Sequence, residues 1–209
     1  MRQIEDVNGG VIHSVREYDI ASGTAVVVGQ VVKLAAGLVV PAAAGETTAI
    51  LGVAAESHPG KPDALNERAD GTRILVSDAP GAVFACAAPV VSATGGTATT
   101  VTASGIAAFA ANVFKGGFVK GPDGHMRSIS ASAVAEGTLT LTVDAGEIPV
   151  AGDEYVIFPP AGFTAGNLSA DGTKLVLTAT AALPLRVIGR IENENKIKLT
   201  AVKHSLACG

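Results

Sequence analysis

Tryptophan is absent from this chain of 209 residues, and aromatic residues together make up only 4% of it. A carbohydrate-binding or adhesive β module that stacks rings on sugars finds little support in that composition. Charge is scarce as well, at 16% against a typical ~25%. With 48% apolar residues, the low charge excludes intrinsic disorder. Only 15 Lys and Arg face 19 Asp and Glu, so a phosphate-binding surface built on clustered cations has no basis, and direct nucleic-acid binding is not expected. The two cysteines make no disulfide framework. Cys86 lies in the apolar run Val83–Ala88 and reads as a small buried hydrophobe, and Cys208 is the penultimate residue. The opening Met1–Asp6 has no apolar core and carries two acids, so a cleaved export signal is not expected. The best membrane candidate, Ala25–Ala44, contains Gln30, Lys33, two glycines and Pro41. A lysine near a helix centre costs about 2.5–3.5 kcal/mol on insertion, which rejects a transmembrane helix and a membrane partner with it.

What the chain has in quantity is Gly, Ala, Val, Ile and Thr. Runs of four to eight such residues, bounded by Gly, Pro, Asn or Asp, recur from end to end, while helical periodicity is nearly absent. Thr138–Val143 and Lys196–Thr200 alternate cleanly, which puts one face on a core and the other in water. Asn8-Gly9, Asp70-Gly71, Asp123-Gly124 and Asp171-Gly172 supply the positive φ angles of tight turns, and Ala36-Gly37 joins two apolar runs as a hairpin. Ala107–Ala111 suits at most one helical turn before Gly116-Gly117. The fold class is all-β: a small barrel or sandwich with an inserted second β unit. The uncharged stretch Ser92–Ser104 and the Pro159-Pro160 pair place that insertion at 92–160. The flanks, 20–91 and 161–209, are then expected to form the barrel, with Leu185–Val202 returning to strands of the first ninety residues. Residues 1–19 precede the first strong strand and are expected to form an arm reaching a neighbouring molecule, through Ile4, Val7, Val11, Ile12 and Val15.

A search for chemistry finds little convergence. His13, His58, His125 and His204 have no second His or Cys at zinc-ligand spacing. Glu56 and His58 could offer two metal ligands, but a polar loop between strands explains them with no ligand and is the favoured reading. Phosphate-binding glycine loops and the Gly-x-Ser-x-Gly elbow are missing. Ser104, His58 and Asp78 form a triad only by arbitrary choice, and Asp144, Glu147, Asp153 and Glu154 read as solvated acids at strand ends. No catalytic residue, metal or cofactor is therefore expected, and the chain is not expected to be an enzyme. Basic residues gather late, at Arg186, Arg190, Lys196, Lys198 and Lys203, interleaved with Glu192 and Glu194. A solvated strand face guarded against edge pairing is the favoured reading, and contact with an acidic partner is the other.

Thr24–Leu34, the glycine-centred hairpin after it, and Thr47–Ala54 look like the opening barrel of small β-rich head proteins of tailed bacteriophages. Asn112–Val119, Arg127–Ser130, Leu139–Leu141 and Gly152–Ile157 are similar to a module of the capsid decoration, or cement, protein family of those phages. The resemblance covers roughly residues 20–204 and rests on apolar and glycine positions. It implies a homo-oligomer, expected as a trimer, on the exterior of a virion capsid, bridging major capsid protein subunits after assembly in the host cytoplasm. A tail-tube or head-completion protein is the alternative virion part. A positive mean hydropathy without a membrane helix independently favours apolar association surfaces.

Overall fold

The structure is a computed structural model and describes residues 1–6, 14–60, 73–178, 183–191 and 194–206. Among these residues every regular element is a strand. The first flank begins with β1 (Arg2–Asp6), β2 (Val15–Asp19), β3 (Ala25–Val26), β4 (Val31–Ala35) and β5 (Leu38–Pro41). It continues through β6 (Gly52–Ala54), β7 (His58–Pro59), β8 (Arg73–Ser77) and β9 (Ala82–Ala87). The middle block holds β10 (Val90–Thr97), β11 (Thr100–Ser104), β12 (Phe118–Lys120), β13 (Met126–Ala135), β14 (Thr138–Val143) and β15 (Glu154–Phe158). The last flank adds β16 (Asn167–Leu168), β17 (Leu175–Val176), β18 (Leu185–Ile191) and β19 (Lys196–Ala201).

The middle block closes on itself as a six-stranded barrel in the order β10-β11-β14-β13-β12-β15. Alternation explains the closure. Leu139, Leu141 and Val143 of β14 are buried inside with Val101 and Ala103 of β11, while Thr138, Thr140 and Thr142 face outward. Outside, Thr100 lies opposite Thr142 and Thr102 opposite Thr140, pairs that stabilise neighbouring strands. Between β13 and β14, Glu136 (φ 49°) and Gly137 (φ 75°) both take positive φ, the two-residue turn that matches strand twist. The Ala107–Ala111 stretch forms no helix. Its Phe109 instead packs edge-on against Phe114, with ring centroids 5.4 Å apart, and Phe114 stacks on Phe163.

The barrel thus lies in the block read as the insertion, at Val90–Phe158, and the flanks form other sheets. Residues 15–77 build the five-stranded sheet β2-β8-β6-β4-β5, which curls until Ile20 bridges Val39 across its two edges. Gly52 makes that curl possible, because a Cβ there would sit 2.0 Å from the Ser77 carbonyl oxygen. Ile20, Val32, Val39, Leu51, Ile74 and Val76 fill the interior. A separate four-stranded sheet runs β1-β9-β19-β18 and shares one continuous core with the barrel. The last flank does return to the first ninety residues, but β19 pairs with β9, and it meets the five-stranded sheet through the bridge between Ile50 and His204. Strands here are too short and too alike for their partners to be read from pattern alone.

The segment read as an arm is also tied into these sheets. Arg2–Asp6 pairs with β9, and Val15–Asp19 with β8. Ile4 lies on β1, and Val7, Val11 and Ile12 fall outside the described residues. Val15 is 44% exposed, so it makes no buried apolar anchor within the chain.

Ile197 and Leu199 of β19 are fully buried against β9, whereas Val202 just beyond is half exposed. Leu199→Ala should therefore cost about 2–5 kcal/mol in equilibrium urea unfolding, and Val202→Ala less than about 0.5 kcal/mol. Equal costs would remove β19 from the core. A second expectation concerns acid. Burial alone would raise the Glu46 carboxyl, but the Lys33 ammonium at 2.6 Å and the bonds from Thr48 outweigh it and hold the group at about 2 instead of 4.5. The folded state thus favours the ionised form. The stability it contributes is complete above pH 4.5 and is lost as pH falls towards 2. Acid unfolding of Glu46→Gln, monitored by circular dichroism, should show a shallower decline than wild type across that window.

Candidate functional site

A polar cluster forms around Asp78, whose side chain is fully buried. Residues two apart on a strand share a face, so Ser14, Arg16 and Tyr18 all point to the same side of the N-terminal segment. They converge on Asp78: the Ser14 hydroxyl donates at 2.8 Å, the Tyr18 hydroxyl donates to the second carboxylate oxygen, and the Arg16 guanidinium lies 3.3 Å away. The Asp78 amide also donates to the Ser14 carbonyl at 3.1 Å. Burial and the bond to Asp78 push the Tyr18 phenol up to about 12. This is a cross-link that holds β2 in place, and neither Ser104 nor His58 belongs to it. Among the described residues of the N-terminal segment, Ser14, Arg16 and Tyr18 are the side chains that fasten it to Asp78. A polar residue at every second position from Ser14 along β2, with a lone Asp just after β8, was the available signal.

His204 borders this cluster. Its Nδ1 accepts the Leu206 amide at 3.0 Å, while its buried Nε2 has no hydrogen-bond partner. Burial lowers the imidazole pKa, partly opposed by the Leu51 backbone and the Asp78 charge. His58 is buried and accepts the Gly60 amide at 3.1 Å, and Glu56 accepts the Leu75 amide at 2.9 Å. Among the described residues, no three His, Cys, Asp or Glu side chains gather as a metal would require. Cys86 is a free buried thiol, and its burial raises the pKa, which makes it inert.

The acids near Pro149 have local duties. Asp144 accepts the Ser128 amide and hydroxyl, Asp153 accepts the Val150 amide, and Asp123 binds Arg127 at 2.7 Å. Arg127 is buried and also donates to the Glu147 carbonyl at 3.1 Å, bracing the 144–150 loop against the turn between β12 and β13. Gly146 leaves room for that guanidinium, since a Cβ there would lie 2.3 Å from its Nε. The braced loop holds up Ile148 and Val150, which are 60% and 65% exposed, and the side chain of Glu147 is exposed beside them. Val27 and Val28 form a second exposed apolar pair, in the turn before β4.

A cleft of about 270 Å³ opens where the barrel meets β18. Lys120, Met126, Phe158, Arg190, Glu194 and Asn195 line it, and it runs into a wider hollow edged by Asp153 and Glu154. A bulge explains why Arg190 is there. Val187 pairs with Leu199 and Gly189 with Lys198, so Ile188 is an extra residue. One extra residue reverses the alternation. Arg190 therefore comes opposite buried Ile197 and turns towards the barrel, where its guanidinium lies 4.0 Å from the centre of the Phe118 ring. The expected solvated basic face thus loses Arg190 to the interior side, while Lys196 stays outside and pairs with Glu194.

No family model, curated protein or solved structure matches the chain.

Proposed function

We propose that the protein is a structural component of a phage virion: a homo-oligomeric decoration protein that binds the outside of the head through the major capsid protein and stabilises it. The observation that carries this reading is the placing of the exposed apolar side chains. Ile148 with Val150, and Val27 with Val28, are presented as pairs on loops, and the first pair is braced from below by buried Arg127. Apolar groups presented on fixed turns suit docking to another protein, because little is lost in ordering them on contact. The polar groups that could have suggested chemistry act instead as internal cross-links. Asp78 is engaged by Ser14, Arg16 and Tyr18, and Glu46 by Lys33 and Thr48. An oligomer adds avidity, since several weak sites engage with one loss of translational freedom. At low charge density, binding should weaken only mildly with salt.

The test mixes purified protein with capsids stripped of their outer proteins and then sediments them. Co-sedimentation that saturates at a fixed copy number is expected, together with recovered resistance of the capsids to heat. A stable monomer that stays in the supernatant at every capsid concentration would overturn the reading.

A further inference from the structure

The cleft beside β18 holds two cations that lack a carboxylate among the described residues. The Nη1 of Arg190 is buried and has no hydrogen-bond partner. Lys120 donates to the amide oxygen of Asn195 at 3.1 Å, a neutral acceptor. Among the described residues, the one acid lining the same cleft, Glu194, lies 2.5 Å from Lys196. A buried guanidinium N–H without an acceptor is costly, and native structures leave few of them. Its fork geometry matches a carboxylate in particular. Met126, Phe158 and Ile191 give the cleft apolar walls beside this charge. Its occupant should therefore carry a carboxylate next to apolar side chains.

Among the described residues, one braced loop of this chain has that composition and presents its side chains to solvent. Glu147 contributes only its backbone carbonyl to the fold, to Arg127, and its exposed carboxylate has no partner among the described residues. Ile148 and Val150 come next and are the two most exposed large apolar side chains described. We propose that the Glu147–Val150 loop of one copy seats in the Lys120–Arg190 cleft of the next, with the Glu147 carboxylate on the Arg190 guanidinium and the Lys120 ammonium. The inference rests on the reading of this chain as a self-associating decoration protein and names the surface by which it assembles. Repeated head-to-tail from copy to copy, such a loop-in-cleft contact closes into a ring when the rotation between copies allows. A trimer is the ring that the decoration reading expects.

Sedimentation equilibrium of the full-length protein over a concentration series tests the contact, using wild type, Glu147→Lys, Arg190→Glu, and the double reversal Glu147→Arg with Arg190→Glu. Each single variant should weaken association by about tenfold or more, and the double reversal should restore most of it. Circular dichroism checks folding. Should Arg190→Glu unfold, because the guanidinium also stacks on Phe118, Lys120→Glu alone and combined with Glu147→Lys replaces it. Glu147→Lys that assembles like wild type overturns the contact, as does a folded double reversal that recovers nothing. Weakening by the cleft variants alone also overturns it, by assigning the cleft to a different acidic segment of the neighbouring copy. If Glu147→Lys both assembles and binds stripped capsids as wild type does, the contact fails and the decoration reading stands. If the charge reversal restores assembly but no variant, wild type included, binds capsids, the decoration reading fails and the contact stands.

Discussion

The pairing of β9 with strands from both ends of the chain is the constraint that organises this molecule. Ala82–Ala87 lies between β1 and β19, so residues about eighty before and over a hundred after it meet on one ribbon. Its Ala-Val-Phe-Ala-Cys-Ala sequence is buried almost throughout, which leaves room for neighbours to approach both faces. The chain then passes directly from β9 into β10, so the sheet that gathers the two ends also sets where the barrel begins. Loop-closure entropy must be overcome before such distant strands gain anything from pairing, which makes this the slow and cooperative part of the fold.

Polar chemistry in this molecule serves mainly to fasten. Asp78 fixes the second strand, Arg127 fixes the loop above the barrel, and Glu46 with Lys33 fixes the connection after β5. Each is buried enough for a missing partner to be expensive, and each has its partners. Against that background the Arg190 Nη1 stands apart. The residue that puts it there is Ile188, an ordinary aliphatic side chain whose insertion into the strand reverses the facing of the residues after it.

Local features were legible where the chemistry is local. The alternation of Thr138–Val143 gives the buried and exposed faces observed, and that of Lys196–Thr200 does so up to Thr200, which is buried and donates to the Ala82 carbonyl. Ala36-Gly37 forms the expected hairpin turn, with both residues at positive φ. The unalternating run at Val83–Ala87 and the buried thiol of Cys86 also fit their sequence reading. Of the four Asn-Gly and Asp-Gly pairs, the glycines at 124 and 172 take the positive φ expected, and the pairs at Asn8 and Asp70 lie outside the described residues. Glu136-Gly137 carries no such signature and still turns between the two barrel strands β13 and β14. At the candidate site, the acids near Pro149 and the late basic residues were visible as types, but their relation was not. A bulge leaves no mark in a string of apolar residues, and nothing in Arg190 itself announces that it faces inward.

The sequence alone determined the all-β class, the faces of the alternating strands and the scarcity of charge, because propensity, period and composition act over a few residues. The tertiary structure alone decided which block closes into a barrel, that β1 and β2 pair into two of the sheets, and that Arg190 enters a cleft near Lys120. Those outcomes depend on strand partners far apart in the chain, and backbone hydrogen bonds, which do most of the pairing, are the same for every residue type.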